Sequence, residues 1–360
     1  MSINEFYNNK KILITGHTGF KGAWLTLFLH HLGAKICGIS LDPKTKDDFF
    51  VVNEIDHLCD SFISNILDFN FLKQKIDEFQ PDVIFHLAAQ PLVRYSYINP
   101  LETFQTNVIG TANLLEALKV INTKCAVVVI TTDKVYENKE WQYPYREIDR
   151  LGGKDPYSAS KACTELTVSS FRHSFYHPDK IEQHGIAIAT ARAGNVIGGG
   201  DWSEDRLLPD IIKSISSEKT IIIRNPSAIR PWQHVLEPLY GYLLLAMNLY
   251  NAPNKFSSEW NFGPYPDDVK NVKEVVETAI SILGKGTYEV NVEKNAMHEA
   301  TLLRLDISKV INELQWRPML QTNEAIKWTI EWYKEFFQNK NNIKKYSSDS
   351  ILNYLAMVKL

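Results

Sequence analysis

The 360-residue chain has little of what marks the specialised protein classes. It has four cysteines, Cys37, Cys59, Cys125 and Cys163, and no two stand in CxxC spacing. Disulfide frameworks belong to small secreted chains with thin cores, so reduced thiols in a cytoplasmic protein are expected. The most apolar stretch, Leu239–Tyr250, is too short and too interrupted to span a bilayer, so no membrane partner is expected. Met1–Lys11 carries no apolar h-region, and no secretory signal is expected there. Neither charge sign dominates: 39 Lys+Arg against 42 Asp+Glu leaves −3 at pH 7. That argues against nucleic-acid binding through bulk positive charge and leaves room for a local basic pocket. Glycine (17) and proline (15) are too few for a collagen-like or low-complexity chain. The ten histidines show neither HExxH nor paired ligand spacing, so no metal is expected. No GxSxG stands in the sequence to suggest a hydrolase. What is present, 44% hydrophobic and 22% charged residues, is the composition of a soluble globular protein with a sizeable core. At roughly 150 residues per domain the length allows about two domains.

The first half of the chain alternates strands and helices. Lys11–Thr15 is a short β-rich run. Ala23, Trp24, Leu27, Phe28 and Leu32 then recur at helical spacing. Ala34–Ser40 reads as a second strand, Leu72–Phe79 as a helix and Val83–Ala88 as a buried strand. Leu101–Leu118 carries a long helical stripe. Ala126–Thr131 reads as strand, Tyr157–Phe175 as helix and Ile186–Ala193 as strand. Such alternation implies parallel βαβ units with right-handed crossovers. The strands are apolar on both faces, as a sheet covered on both sides requires. After about residue 190, glycines and prolines punctuate shorter elements, which reads as a smaller lobe with returns to the sheet. Asn323–Phe337 is a late helix, Gln338–Ser350 a polar linker or tail, and Ile351–Leu360 a short terminal helix.

Gly16-His17-Thr18-Gly19-Phe20-Lys21-Gly22 is a GxxGxxG loop between the first strand and the first helix. The first glycine permits a tight turn, the second lets backbone approach a pyrophosphate, and the third lets helix and sheet pack closely. The helix N-terminus then attracts the anion. The same loop could be a plain strand–helix turn, but its place in the first βα unit favours a dinucleotide. His17 and Lys21 set a titratable ring and a cation close to the diphosphate; Lys21 as a solvated helix residue is the equal alternative. At the end of the second strand, Ser40 and Asp42 favour the free ribose of NAD.

Tyr157 and Lys161 form a YxxxK pair at i, i+4, on one face of a helix. A phenol, with a pKa near ~10, is a poor base at neutral pH. An adjacent ammonium stabilises the phenolate, which can then take a hydroxyl proton while hydride leaves the carbon. An isolated YxxxK is usually an ordinary helix pair. Here it follows a dinucleotide loop and a strand ending Thr131-Thr132-Asp133, and the catalytic reading prevails.

With those motifs in register, the sequence resembles the extended short-chain dehydrogenase/reductases that act on sugar nucleotides, in particular the 4,6-dehydratases. The resemblance runs from Gly16 to Asp306. It is carried by His86–Arg94, Thr131–Tyr136, Asp155–Lys161, Ala191–Trp202 and Arg230–Val235. It implies an α/β fold: a Rossmann-like doubly wound parallel sheet with a smaller C-terminal substrate-binding lobe. The expected division is an NAD-binding domain over 1–190 with later segments returning to it, a sugar-nucleotide lobe mainly over 191–340, and a tail over 341–360. Sister epimerases carry small or hydroxyl residues after the Ser/Thr, because they only oxidise and reduce C4. A dehydratase also loses water across C5 and C6 and needs an added acid and base. The wider dehydratase family supplies Asp-Glu there; this chain has Asp133-Lys134, which matches the branch acting on CDP-glucose.

The resemblance implies that NAD is the cofactor and CDP-glucose or a related sugar nucleotide the substrate. It also implies a homodimer or homotetramer and a place in deoxysugar synthesis for surface polysaccharide or O-antigen. The implied catalytic residues are Thr132, Asp133, Lys134, Tyr157 and Lys161. Those implied at the cofactor are Gly16, His17, Thr18, Gly19, Phe20, Lys21, Gly22, Ser40, Asp42, Ile66, Ala88, Ala89, Gln90, Asn107, Tyr157 and Lys161. Substrate-binding candidates are Arg94, Asn195, Arg206, Arg230 and His234, with Arg230 in the motif that clamps a diphosphate in the family. Trp202 and Trp232 could pack on base or sugar, though a buried tryptophan is more often core. Arg192 reads as half of a structural pair. Lys134 acts as base only if it is neutral and if the chain bends after the strand, because adjacent strand residues face opposite ways; a surface lysine is the alternative. The alternative activities are a sugar-nucleotide 4-epimerase or a dehydratase for another nucleoside-diphosphate hexose.

Overall fold

The structure, a computed structural model, describes residues 1–291 and 302–358. Seven parallel strands make the central sheet: β1 (Lys11–Thr15), β2 (Lys35–Ser40), β3 (Asp60–Ile63), β4 (Val83–His86), β5 (Cys125–Ile130), β6 (Ile186–Ala193) and β7 (Glu259–Phe262). Their spatial order is β7-β6-β5-β4-β1-β2-β3. The order reverses between β1 and β4, and in open parallel sheets ligands bind beyond the carboxyl ends of the strands at such a point. Alternate residues feed opposite faces: Ile12 and Ile14 join one core cluster, and Leu13 between them joins the other.

The helices follow from the same pattern. α1 (Phe20–His31) is buried at every position from Gly22 to Leu29, because the sheet lies on one side and C-terminal helices on the other. α2 (Phe69–Phe79) is amphipathic, with Leu72 and Ile76 inward. The stripe expected over Leu101–Leu118 is helical throughout but not regular: Pro100–Phe104 is followed by a π-helical turn, Gln105–Ile109, and then α3 (Gly110–Ala117). α4 (Pro156–Ser174) starts where the Asp155 side chain accepts from Ser158 N at 2.9 Å, with Pro156 in the first turn.

Beyond residue 190 the chain comes back to the sheet. α5 (Leu236–Asn251) packs on β5 and β6, and β7 extends the sheet beside β6. The Gly198-Gly199-Gly200 turn lets the layers meet. A Cβ on Gly199 would lie 2.0 Å from the Trp332 ring, and one on Gly200 2.6 Å from Phe49 Cβ. Trp24 Nε1 donates to Gly199 O at 3.0 Å across the same seam. α6 (Thr322–Gln338) and α7 (Ile343–Val358) complete this layer.

Three segments differ from expectation. Gln338–Ser350 is not a linker: it is helical from Ile343, and α7 buries Ile343, Ser347, Ile351, Tyr354 and Leu355 against neighbours that include α1 and α6. Its apolar residues keep helical spacing but are diluted by Lys, Ser, Asp and Asn, so composition concealed the pattern. The last two residues of the expected terminal helix, 359–360, lie outside the described residues. The polar N-terminus folds as a helix, Ile3–Tyr7, closed by a Ser2/Glu5 capping box, with Phe6 and Tyr7 buried. β3 is four residues with Asp60 and Ile63 exposed at its ends, too short to show a period. Among the described residues no helix is long and apolar enough to cross a membrane.

Candidate active site

The Gly-rich loop connects β1 to α1 at the switch point. Gly16 takes φ +81°, and a Cβ there would stand 2.7 Å from Ala88 N. A Cβ on Gly22 would stand 2.1 Å from Gly16 O, so helix and loop meet only through glycine. Gly19 is different. It is exposed, caps α1 without any side-chain bond, and a Cβ there would touch nothing nearer than Gly16 O at 3.4 Å. The loop thus presents the first amides of a twelve-residue helix with no side chain over them, a cradle suited to a diphosphate.

Of the loop's two odd residues, His17 departs from the expectation and Lys21 follows one of its two readings. The His17 ring does not face the open side of the loop. It is fully buried over Gly38, where a Cβ would come within 2.4 Å of it, and its Nε2 pairs with Ser61 Oγ at 2.7 Å. Burial lowers its pKa to about 4, so the ring is neutral and brings no charge to an anion. Lys21 is not a solvated helix residue. It is drawn inward, its Nζ 6.0 Å from the centre of the Tyr242 ring. Burial, then the charges of Arg206 and Lys161, lower its pKa to about 7, with Asp133 opposing. Thr18 Oγ1 donates to Leu41 O at 2.8 Å and meets Ser40 Oγ at 2.7 Å, tying the loop to the end of β2. Asp42 lies just beyond, exposed.

The remaining cofactor candidates line the ends of β3, β4 and α3. Ile66 fills the space a Cβ on Gly110 would need. Ala88 and Ala89 form the half-buried turn after β4. Gln90 spends its side chain on that turn, donating to Thr103 Oγ1 at 2.8 Å and accepting from Leu92 N at 2.6 Å. Asn107, inside the π-helical turn, accepts from Gln90 N at 2.8 Å and donates to Ser160 Oγ at 2.8 Å, which joins this turn to α4.

The catalytic candidates converge. β5 ends at Ile130, and Asp133–Val135 form a 3₁₀ turn capped by the Thr132 hydroxyl. That turn supplies the bend that an extended Asp133-Lys134 would lack. Asp133 is buried and accepts from Thr132 Oγ1 at 2.9 Å; Lys134 is half-buried. Burial pushes the Tyr157 phenol up to about 12; the neighbouring Thr132 side chain pulls it down, Asp133 raises it and Arg206 lowers it again. Lys161 Nζ donates to Ile130 O at 3.0 Å, and burial lowers its pKa to about 8. In this arrangement the cation acting directly on the phenol is Arg206, while Lys161 is held to the end of β5.

The substrate candidates divide. Arg206 stands at the start of the helix Leu207–Ser216, beside Tyr157, with Nη1 donating to Asp201 Oδ2 at 2.9 Å. Arg94 pairs with Asp205 at 3.4 Å, which draws the segment after β4 towards the 201–206 loop. Asn195 takes φ +50° next to Gly194. Arg230 sits in a two-residue strand against Lys270–Asn271. His234 is corrected: it is a core residue, its ring edge-on to Trp24 at 6.2 Å and Trp328 at 5.7 Å. Burial lowers its pKa to about 3, so it is neutral and hidden from any ligand. Trp202 and Trp232 are packing residues; Trp202 donates to Asp47 O at 2.6 Å and lies against Tyr333 and Phe336.

Two site residues went unread in the sequence. Gly194 is the seat of Asp133, since a Cβ there would lie 2.1 Å from Asp133 Oδ2. A glycine one residue before Asn195 was the available signal. Asp201 holds Arg206, and nothing in its immediate sequence marks it.

Residues 13–329 match the family model described as GDP-mannose 4,6 dehydratase. The chain is 47% identical over 337 residues, 94% of each chain, to the CDP-glucose 4,6-dehydratase of Salmonella typhimurium. It is 24% identical over 371 residues to that organism's dTDP-glucose 4,6-dehydratase, covering 93% of this chain and 95% of the other. A solved dTDP-glucose 4,6-dehydratase from Streptomyces venezuelae, with NAD bound, superposes with a TM-score of 0.75 over 93% of this chain and 99% of that one. Its 20% identity makes that a likeness of fold.

Proposed function

The chain belongs to the GDP-mannose 4,6-dehydratase family of extended short-chain dehydrogenase/reductases, and from that membership we propose that it is a lyase converting CDP-glucose to CDP-4-keto-6-deoxyglucose and water. The observation that carries the reading is the 3₁₀ turn that offers a buried carboxyl, Asp133, and a lysine, Lys134, beside Thr132 and Tyr157. An enzyme that only interconverts C4 needs no such second pair.

NAD fits the glycine cradle and supplies, when bound, the hydride acceptor for C4 and the hydride donor for C6. Gly16, Gly19 and Gly22 form its diphosphate seat. Ser40 and Asp42, at the end of β2, suit an unphosphorylated ribose. Tyr157 takes the C4 hydroxyl proton, and Thr132 holds the same oxygen. The charge of Arg206 draws the buried phenol down, and Lys161, one helical turn along on the same face, adds a second cation at the site. The C4 ketone acidifies the C5 proton, which Lys134 in its neutral form removes, while Asp133 in its protonated form gives its proton to the C6 hydroxyl as it leaves as water and regains one from the protonated Tyr157 when the cycle closes. Lys134 then returns the proton to C5. The sum is loss of one water with no net change of oxidation state in the cofactor. Arg94, Arg206, Asn195 and Arg230 gather at the substrate's diphosphate and sugar, where guanidinium groups suit phosphate oxygens.

The chain acts in the cytoplasm as a homodimer or homotetramer. The helical stretch from Val93 to Ala117 and its neighbour α4 leave large apolar side chains in water, with Ile98 75%, Leu101 78%, Ile109 52% and Leu166 59% exposed. Such surface marks an interface. The function is tested by incubating the protein with NAD and CDP-, dTDP-, GDP- or UDP-glucose and identifying the products. A 4-keto-6-deoxy sugar from CDP-glucose is expected. A C4 epimer as product, or turnover of dTDP-glucose alone, would refute the assignment.

A further inference from the structure

The polar side chains buried behind the catalytic turn form one connected set. Glu165, one helical turn beyond Lys161 on α4, accepts on Oε1 from Thr131 Oγ1 at 2.5 Å and Arg192 Nε at 2.9 Å. Its Oε2 accepts from Thr190 Oγ1 at 2.7 Å and Arg192 Nη2 at 2.9 Å. Arg192 Nη1 donates to the Tyr136 hydroxyl at 2.8 Å and to Glu147 O at 3.1 Å. The Tyr136 hydroxyl in turn donates to Asn261 Oδ1 on β7 at 2.7 Å. The Tyr136 ring stacks on Tyr145, 5.1 Å away and 19° from parallel, with the Arg192 guanidinium 5.0 Å from its centre.

This set grips the catalytic triplet from both sides. Thr131 immediately precedes Thr132, and Tyr136 closes the 3₁₀ turn that carries Asp133 and Lys134. The carboxylate that holds both ends stands on the helix of Tyr157 and Lys161. A buried ion pair adds little net stability over apolar residues of like volume, so a fully bonded one is better understood as a device that fixes relative position. The Tyr157 end of α4 has separate anchors: Tyr157 N donates to Ser96 Oγ at 3.1 Å, and Asn107 holds Ser160. Loosening the Arg192 set therefore frees the acid–base turn while leaving the Tyr157–Lys161 helix in place.

We propose that Arg192 and Tyr136 are positioning residues for the elimination half of the reaction. They hold the Asp133–Lys134 turn at the right offset from Tyr157, so that one bound sugar meets one pair at C4 and the other at C5 and C6. The inference rests on the dehydratase reading and deepens it.

The test separates the two half-reactions. Tyr136→Phe removes only the hydroxyl between Arg192 and Asn261. On mixing the NAD-loaded variant with CDP-glucose in deuterated water, reduced-cofactor absorbance reports C4 oxidation, and solvent deuterium at C5 of the product reports elimination. Expected is a fall in elimination on the order of 10–100-fold, the cost of an ångström-scale misplacement, with oxidation within about twofold. Reduced cofactor then accumulates where the unmodified enzyme shows little. Thr131→Val, next to the Thr132 that holds the C4 oxygen, should slow oxidation as well as elimination, and Thr131→Ser should restore both. In Tyr136→Phe, both steps falling by one factor, or neither falling, would overturn the proposal while the dehydratase reading stood. An unmodified enzyme that forms no 6-deoxy sugar would sink that reading and this inference together.

Discussion

Glu237 sits at the start of α5, fully buried, with no cation bonded to it among the described residues. Its Oε1 accepts from Met319 N at 3.0 Å and Leu320 N at 2.6 Å, and its Oε2 from the Tyr354 hydroxyl of α7 at 2.9 Å. Burial outweighs these bonds and raises its pKa from 4.5 to about 7. Because the folded value is the higher one, the contribution is fully present below the unfolded pKa and is lost as pH rises through about 7. Between about pH 5 and pH 8 this linkage amounts to about 2 kcal/mol, at 1.36 kcal/mol per unit of separation. Glu237→Gln imitates the protonated carboxyl: its amide oxygen can accept both backbone N–H groups and its amide can donate to Tyr354. The assay is urea unfolding of both proteins at the two pH values, followed by tryptophan fluorescence. The variant should gain about 2 kcal/mol on the native protein as pH is raised. A gap that stays constant with pH, or one that narrows, would refute the linkage.

Further outcomes follow from the site. Lys134→Ala should stop 6-deoxy product while reduced cofactor still forms on mixing with CDP-glucose; unchanged product would remove Lys134 from the mechanism. Gly22→Ala forces a Cβ to within 2.1 Å of Gly16 O. NAD affinity measured calorimetrically should fall at least about tenfold, or 1.4 kcal/mol, with unchanged circular dichroism, and a change under twofold contradicts the cradle. Leu101→Glu combined with Leu166→Glu should reduce the sedimenting mass to one chain; a native protein that already sediments as one chain removes the interface.

The parts of this molecule that were legible in its sequence are those where one physical requirement dominates. The sheet announces itself because a strand covered on both faces must be apolar throughout, as in β5 and β6. The cofactor loop announces itself because only glycine permits the contact between residues 16 and 22. Legibility failed where a side chain had two possible environments. His17 lies in a phosphate-binding loop by sequence, yet Gly38 opens a pocket in β2 that draws the ring inside. His234 follows an arginine motif, yet the tryptophans from α1 and α6 that enclose it are far away in sequence. The YxxxK spacing put Lys161 beside Tyr157, but the carbonyl of Ile130 that fixes its ammonium belongs to another element. Arg192 was legible as half of a structural pair, but its partner Glu165, like the Asp133 that Gly194 seats, lies where no local window contains it.

The late arrival of β7 has a consequence for synthesis. Strand β6 ends at Ala193 and the strand that covers its edge begins at Glu259, so 65 residues must emerge in between. At roughly 5–20 residues per second the ribosome takes about 3–13 s over that stretch. Throughout it the nascent sheet shows an open row of backbone donors and acceptors on an eight-residue strand that is buried at every position once folded. One face of β5 and β6 also waits for α5, which begins at Leu236. The amino-terminal half is therefore no free-standing module, and a fragment stopped at residue 190 should pair edge to edge and aggregate. In the cell this chain needs protection during its own translation, and its yield should respond to elongation rate and to chaperone supply more than its final stability would suggest.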